Sequence, residues 1–472
     1  MSNARITDLY EVSMAHSYLK ERMTAPATFS LFVRRLPPGR GFLVAAGLEP
    51  ALEMLSGLRI GADDVEVFAA ALGRPAADLA PLLGLRFTGD VRAVPEGRIV
   101  LAGEPLLEVT APLPEAQFVE SYLLNQVCHQ TAVASKAARC VIAAAGRPLV
   151  DFSLRRDHGV DAGMQAARLS AMVGFAGTSN VAAAEVYGLR AVGTMAHSYV
   201  EAFDDEAAAF RAFIAAHPGP VTLLVDTYDT AAGARTAAHV LRDAGLAEGC
   251  ALRLDSGDLA ELAVTVRGIL DAGGLPEVRI TASGGLDEYA LDRLVRAGAP
   301  IDTFAVGTLV GVSADAPYLD AAYKLVAYDG RPVMKLSAGK VTGPGAKQVF
   351  RGPAVRDTLA LADEPAPPGT SPLLETVMSR GRRLGAPRPL GRARAAFEAD
   401  LAELPPEARL VTDPRPPRPT GSEPLRALAE TTRGRIEARL RDTAGRPDTA
   451  PAVSSPAGRP RPGTRSGAGP RD

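Results

Sequence analysis

Five times between residues 191 and 311 a short apolar run breaks off into acids, glycines or serines: AVGTMAHSY (191–199), TLLVDTYDT (222–230), ALRLDSGDL (251–259), VRITASGGL (278–286) and DTFAVGTLVG (302–311). Apolar runs this short fit strands covered on both faces. Strand, polar tip and helix, repeated, is how a parallel α/β barrel gathers its tips at one end and builds a site there. A sixth run ends at Asp151. The tips at Asp151, Thr194, Asp226, Asp255, Ser283 and Gly307 follow one another at about 25 to 43 residues, the length of single βα units. Six units fall short of eight, so the expected fold is α/β, an irregular TIM-like barrel.

The flanks read differently. Asp8 with Glu11 three residues later predicts a capping box and a helix to about Lys20. A strand is expected at 27–35, a loop at 36–41, helices near 48–56 and 62–72, and Gly- and Pro-punctuated β segments over 89–110. Residues 1–113 therefore form a second, β-rich α+β domain. The Gly-free stretch 114–145 predicts a helix of roughly 45 Å that leads into a barrel domain spanning 114–316. After Pro317, β-like sequence (YKLVAYDGRPVMKLSAG) returns and is expected to complete the first domain over about 317–440. Residues 441–472 are rich in Pro, Arg and Gly, a composition expected to stay disordered.

The chain has 472 residues, 47% hydrophobic and 22% charged, enough to bury a large core. Its net charge of −2 argues against nucleic acid or a membrane surface as main partner. Cys128, Cys140 and Cys250 show neither C-x-x-C pairing nor disulfide spacing, and are expected to be small buried residues in a reducing compartment. The N-terminus lacks a basic-then-apolar signal, and no apolar run reaches the roughly 18 residues of a membrane helix. A cytoplasmic protein is expected.

The tips suggest a chemistry. Ser283-Gly284-Gly285 and Val306-Gly307-Thr308 are small-residue turns that let backbone N–H groups approach an anion. They close the last two units, where barrels often hold phosphate. Asp255 and Asp258 can bind ribose hydroxyls or share Mg²⁺ with phosphate oxygens; the plainer alternative is a helix cap and a first-turn acid. Asp226 and Asp229 pose the same choice. Arg253 shares a strand face with Asp255, and a cation there calls for an anion. Arg155 and Arg156 stand beyond another tip, and Arg suits carboxylate and phosphate. Among six histidines, His197 leaves a strand tip directly and is preferred over His158 as base or phosphoryl acceptor. No G-x-x-x-x-G-K-[ST] or G-x-G-x-x-G occurs, which disfavours P-loop ATPases and Rossmann dehydrogenases. The residues alone imply a barrel enzyme acting on a phosphorylated, sugar-containing, Mg²⁺-bound substrate.

In order, TDLYEVSMAHSY (7–18), DFSLRRDHG (151–159), GFAGTSNVAAA (174–184), AVGTMAHSY (191–199), LVDTYDT (224–230), RLDSGDL (253–259), SGGLD (283–287), AVGT (305–308), KLS (335–337) and PGAKQV (344–349) resemble the nicotinate phosphoribosyltransferases, over about residues 5 to 350. The resemblance implies a type II phosphoribosyltransferase fold. It implies conversion of nicotinate and phosphoribosyl pyrophosphate to nicotinate mononucleotide and pyrophosphate in NAD salvage, coupled to ATP hydrolysis, with Mg²⁺. It makes His197 the histidine that ATP phosphorylates, and Phe152 and Arg155 the ring-stacking and anion contacts of the pocket. Tyr10 matches a tyrosine lent by the partner of a homodimer. Ser179 stands where the nicotinamide-using relative has Asp, which favours a carboxylate substrate. Arg253, Asp255 and Asp258 would hold the phosphoribosyl group and its Mg²⁺, and Gly284, Gly285, Gly307 and Thr308 its 5′-phosphate. Thr194, Asp226, Ser256 and Ser283 join the substrate-binding set. The sequence departs from the family at Ser153, where many relatives have Gly, and at His158, often Gln. Alternatives are a nicotinamide or quinolinate phosphoribosyltransferase and a phosphosugar aldolase or isomerase. The last would need a Lys or Glu at a tip, and no tip in 151–308 carries Lys. A ligand-sensing protein on the same fold is a fourth.

Overall fold

The computed structural model describes residues 2–337 and 342–444. Its centre is a curled parallel sheet of six strands: β1 (Leu149–Asp151), β2 (Gly177–Thr178), β3 (Thr222–Leu224), β4 (Ala251–Leu254), β5 (Arg279–Ala282) and β6 (Thr303–Val306). They run in the spatial order β2-β1-β6-β5-β4-β3. The first unit thus pairs with the last, Val306 opposite Asp151. One difference from the sequence expectation concerns the run before Thr194. It contributes a single bridge, Ala191 to Thr178, while the two-residue β2 takes the place of a strand there. Among the described residues no pairing joins that bridge to β3, so the sheet is an open half-barrel.

The strands bury an apolar face, as in β4, where Leu252 and Leu254 share one face and are fully covered while Arg253 lies on the other. Helices that begin at capped polar tips cover the outside. Asp229, Asp258 and Asp287 each accept hydrogen bonds from N–H groups in the first turn that follows them.

A second, antiparallel sheet lies beside this one. It joins N-terminal strands Pro26–Val33, Asp90–Ala93 and Pro105–Pro112 to later strands Ala321–Tyr328 and Glu375–Ser379, with Arg331–Pro332 and Arg382–Arg383 at its edges. The return of the chain to this sheet is therefore formed. PGAKQV leads into a separate four-stranded sheet, where Lys347 is buried and its Nζ donates to the Gly345 carbonyl 2.8 Å away.

Three local expectations are corrected. The helix at Leu9–Lys20 begins after Asp8, yet no side-chain cap forms. Glu11 instead turns inward and accepts from Ser121 N at 2.8 Å and Ser121 Oγ at 2.6 Å. The stretch from residue 114 is two helices, Leu113–Phe118 and Glu120–Ala143, broken at Val119. The longer one spans roughly 36 Å. Its Leu123, Val127 and Ala132 pack into the N-terminal core, and its Val133, Ala137 and Cys140 into the half-barrel core, so it does join the two. Residues 441–444 end the helix Glu423–Ala444; the rest of the tail expected to be disordered lies outside the described residues. No helix among the described residues is long and apolar enough to cross a membrane.

Candidate active site at the mouth of the half-barrel

The carboxyl ends of β1, β4, β5 and β6 surround a polar cavity of about 120 Å³. Phe152, Arg155, Arg253, Asp255, Ser283, Gly284, Gly285, Gly307 and Thr308 line it, together with Arg156, Leu286, Ala305 and Leu309. Nine of the residues expected at the site thus meet in one hollow.

Arg253 organises it. Its side chain is 11% exposed and donates from Nε to Ser283 Oγ (2.8 Å), from Nη1 to Thr194 Oγ1 (2.9 Å), and from Nη2 to Asp255 Oδ1 (2.5 Å). The guanidinium lies 5.4 Å from the centre of the Phe152 ring, a cation–π contact. Ser283 Oγ donates to the same Asp255 oxygen at 2.5 Å. Burial raises the Asp255 pKa, but Ser283, Arg253 and His197 outweigh it and hold the carboxyl below its usual range.

Asp226 fixes the next layer. Its Oδ2 accepts from Asp255 N (2.9 Å) and Ser256 Oγ (2.6 Å), while its Oδ1 is buried with no hydrogen-bond partner among the described residues. His197, half-buried, opens the short helix His197–Glu201, and its Nδ1 lies 3.2 Å from Thr227 Oγ1. The imidazole thus stands one residue from Asp226 and close enough for its charge to act on Asp255. His158 is exposed and interacts with Asp157 and His129 instead.

The glycines serve close approach. Gly284 has φ +90°, and a Cβ there would lie 1.9 Å from the Asp255 carbonyl oxygen. A Cβ on Gly307 would lie 2.7 Å from the Phe152 carbonyl oxygen. Gly284, Gly285 and Leu286 line the cavity, and their N–H groups make no hydrogen bond to the described residues, which leaves them available to an anion. The helix Glu288–Arg296 adds nothing to this cradle. Asp287 Oδ1 already accepts from the N–H groups of Tyr289 and Ala290, at 3.1 and 2.9 Å.

Asp258 does not line this cavity; its Oδ1 caps the following helix, accepting from Ala260 N and Glu261 N. Ser179 sits at the tip of β2, held by its N–H on the Asp151 carbonyl at 2.8 Å, beside the tip that carries Phe152. Tyr10 lies elsewhere, on the helix Leu9–Lys20, 46% exposed and facing Glu11 and Glu120. Within one chain it does not reach the cavity lining.

Sequence reasoning missed Thr227, although it is the polar residue between Asp226 and Tyr228 at a recognised tip. It missed as well the bracing of the DFSLRRDHG loop. Buried Asp151 accepts from Ser153 N at 3.0 Å and from Thr178 Oγ1 at 2.7 Å, and Ser153 Oγ donates to Asp157 at 2.9 Å. Burial raises the pKa of Asp151 and of Asp157.

Comparison with known proteins agrees with this geometry. Residues 6–128 match the family model of the nicotinate phosphoribosyltransferase N-terminal domain, and residues 148–299 that of the nicotinate phosphoribosyltransferase family. The chain is 46% identical to nicotinate phosphoribosyltransferase pncB2 of Mycobacterium tuberculosis over 87% of its own length and 89% of the relative's. It is 32% identical to the human nicotinate phosphoribosyltransferase, over 90% and 96%. The crystal structure of human nicotinic acid phosphoribosyltransferase superposes with a TM-score of 0.78 at 31% identity, covering 90% of this chain and 99% of that one. On sequence, fold and the residues gathered at the half-barrel mouth, the chain belongs to the nicotinate phosphoribosyltransferase family.

Proposed function

We propose that the protein joins nicotinate to the ribose of phosphoribosyl pyrophosphate, releasing pyrophosphate and forming nicotinate mononucleotide, with ATP as co-substrate, in cytoplasmic NAD salvage. One observation carries the reading. A hollow lined by free N–H groups and three arginines adjoins a carboxylate layer and an accessible imidazole.

The roles follow from the donors. Gly284, Gly285 and Leu286 offer N–H groups to the 5′-phosphate, and Gly307 leaves room for it. Arg155 and Arg156, exposed at the rim, add positive charge for phosphate or for the nicotinate carboxylate. Phe152 offers a ring face for the pyridine. The ionised Asp255 stands where positive charge develops on the ribose as pyrophosphate leaves, and Arg253 keeps that carboxylate aimed.

Mg²⁺ fits at one edge of this arrangement. Among the described residues no three His, Cys, Asp or Glu side chains group to hold a metal, which suits an ion carried mostly by phosphate oxygens. The free Asp226 Oδ1, with Asp255 and the oxygen of Asp258 that the helix cap leaves unused, would hold it. Bound there, the ion would offset charge on the leaving pyrophosphate.

His197 is the proposed phosphoryl acceptor. In the tautomer that donates Nδ1–H to Thr227, Nε2 presents its lone pair. Nε2 then bonds to the γ-phosphorus of ATP as the bond to the β–γ bridging oxygen breaks and ADP departs. Water later takes the phosphoryl group and restores the ring. Tyr10, exposed on its helix, is available to a second copy's pocket, which supports a homodimer with shared sites. Incubation with γ-labelled ATP tests the histidine role. Wild type should take up acid-labile, base-stable label and His197→Ala none, and undiminished labelling of the variant would move the role elsewhere.

A further inference from the structure

Outside the cavity lining, three cations are sealed from water: Arg40, Lys136 and Arg139, with side chains 0%, 1% and 4% exposed. They come from two places outside the half-barrel. Arg40 lies in the loop after strand Pro26–Val33, and the other two on the helix Glu120–Ala143. Their partners are Glu288, two residues beyond Leu286, and Ser313 and Asp315, which follow the Gly307–Leu309 turn. Lys136 Nζ lies 2.5 Å from Glu288 Oε2 and 3.2 Å from Asp315 Oδ1. Arg139 Nε donates to Glu288 Oε1 at 2.9 Å. Arg40 grips Asp315 with Nε and Nη2, both at 2.9 Å, and its Nη2 also donates to Ser313 Oγ at 2.7 Å. Lys136 thus touches both anchors, and the two glycine turns hang from one cluster.

We infer that Arg40, Lys136 and Arg139 are positioning residues that set the two anion-binding turns in register with each other. A buried ion cluster gains little stability over apolar residues of similar size, so stability alone does not account for this one. Its geometry does supply a fixed spacing. Each turn is pinned at its near end by strand pairing and, beyond the turn, by a charge that cannot slide without leaving another unpaired. Ser313, 1% exposed, is the left-handed residue of the Schellman turn that ends the helix Thr308–Gly311, with Ala314 N donating to the Leu309 carbonyl at 3.0 Å, which ties this anchor to the second glycine turn. A phosphate spanning both turns needs that spacing held within a fraction of an ångström.

The inference rests on the proposed activity, and the test separates the two. With wild type, Lys136→Met, Lys136→Arg and Ser313→Ala, KM is measured for phosphoribosyl pyrophosphate and for nicotinate, beside the melting temperature. Lys136→Met should raise KM for the donor at least about tenfold, and Ser313→Ala several-fold, with KM for nicotinate unchanged within about twofold. Lys136→Arg, which keeps the charge, should recover most of the loss. An unchanged donor KM, or both KM values drifting together as stability falls, would overturn the inference. If Lys136→Met does not fold, Ser313→Ala decides alone. If wild type shows no transferase activity, the functional reading falls and titration with inorganic phosphate decides instead. Weaker binding by Ser313→Ala supports the positioning role, and equal affinity or no binding by wild type refutes it.

Discussion

Replacing Arg253 by Lys tests the site where its bonding is densest. The guanidinium serves Ser283, Thr194 and Asp255 at once, with a longer contact of 3.4 Å to the Met195 carbonyl. An ammonium can keep Asp255, but from a single point it cannot also reach Ser283 on one side and Thr194 on the other. Two hydrogen bonds from a charged donor are lost, each worth about 1.5–3 kcal/mol when left unreplaced. Water enters at the open mouth and restores part, leaving a net loss of about 2–3 kcal/mol, a factor of about 30 to 150 in kcat/KM. The assay is the initial rate of nicotinate mononucleotide formation, with nicotinate saturating and the phosphoribosyl donor varied. The loss should appear against the donor, while the melting temperature moves by only a few degrees because the contacts lie at the rim of the core. A kcat/KM within about threefold of wild type would show that the Arg253 fork does not organise the site, and the reasoning from its contacts would fail.

Two further outcomes are expected. Ser179→Asp places a carboxylate beside the Phe152 tip and should shift the nicotinate-to-nicotinamide rate ratio toward nicotinamide by about 10- to 100-fold; an unchanged ratio would discredit the selectivity argument. Glu104 is buried, and burial followed by the neighbouring Asp357 charge holds its carboxyl well above the ordinary range. A folded pKa above the unfolded one means stability that is full below the unfolded value of about 4.3 and lost as pH rises through the folded one. Glu104→Gln removes that loss, so calorimetry should find the variant gaining on wild type as pH rises above the unfolded value, and a constant difference would refute the sign.

How much of this was legible beforehand depended on the range of the interaction involved. The strands at 222–224, 251–254, 279–282 and 303–306 were visible because each is a short, mostly apolar run that ends in a polar tip. Gly177–Thr178 was not, since two residues carry no period, and its place in the sheet comes from pairing with Val150 and Asp151. Arg253 and Asp255 declared themselves through the anomaly of charge on a central strand. Asp258 and Asp287 follow the local rule for helix caps, which their sequence context already offered. Glu11 went the other way. A partner 110 residues distant, Ser121, outbid the local cap, and no local pattern could reveal it. The cluster of Arg40, Lys136, Arg139, Glu288 and Asp315 draws on four separate segments and was equally invisible, although it underlies both turns that the sequence did pick out.

The central claim is that the half-barrel mouth binds a phosphoribosyl donor next to a phosphorylatable imidazole and uses it on nicotinate. Purified protein given that donor and Mg²⁺ with either nicotinate or nicotinamide, each with and without ATP, tests this most directly. Nicotinate mononucleotide should form, faster with ATP, and nicotinamide should be a poor substrate under every condition. Absence of product from nicotinate, or preferential use of nicotinamide, would contradict the account.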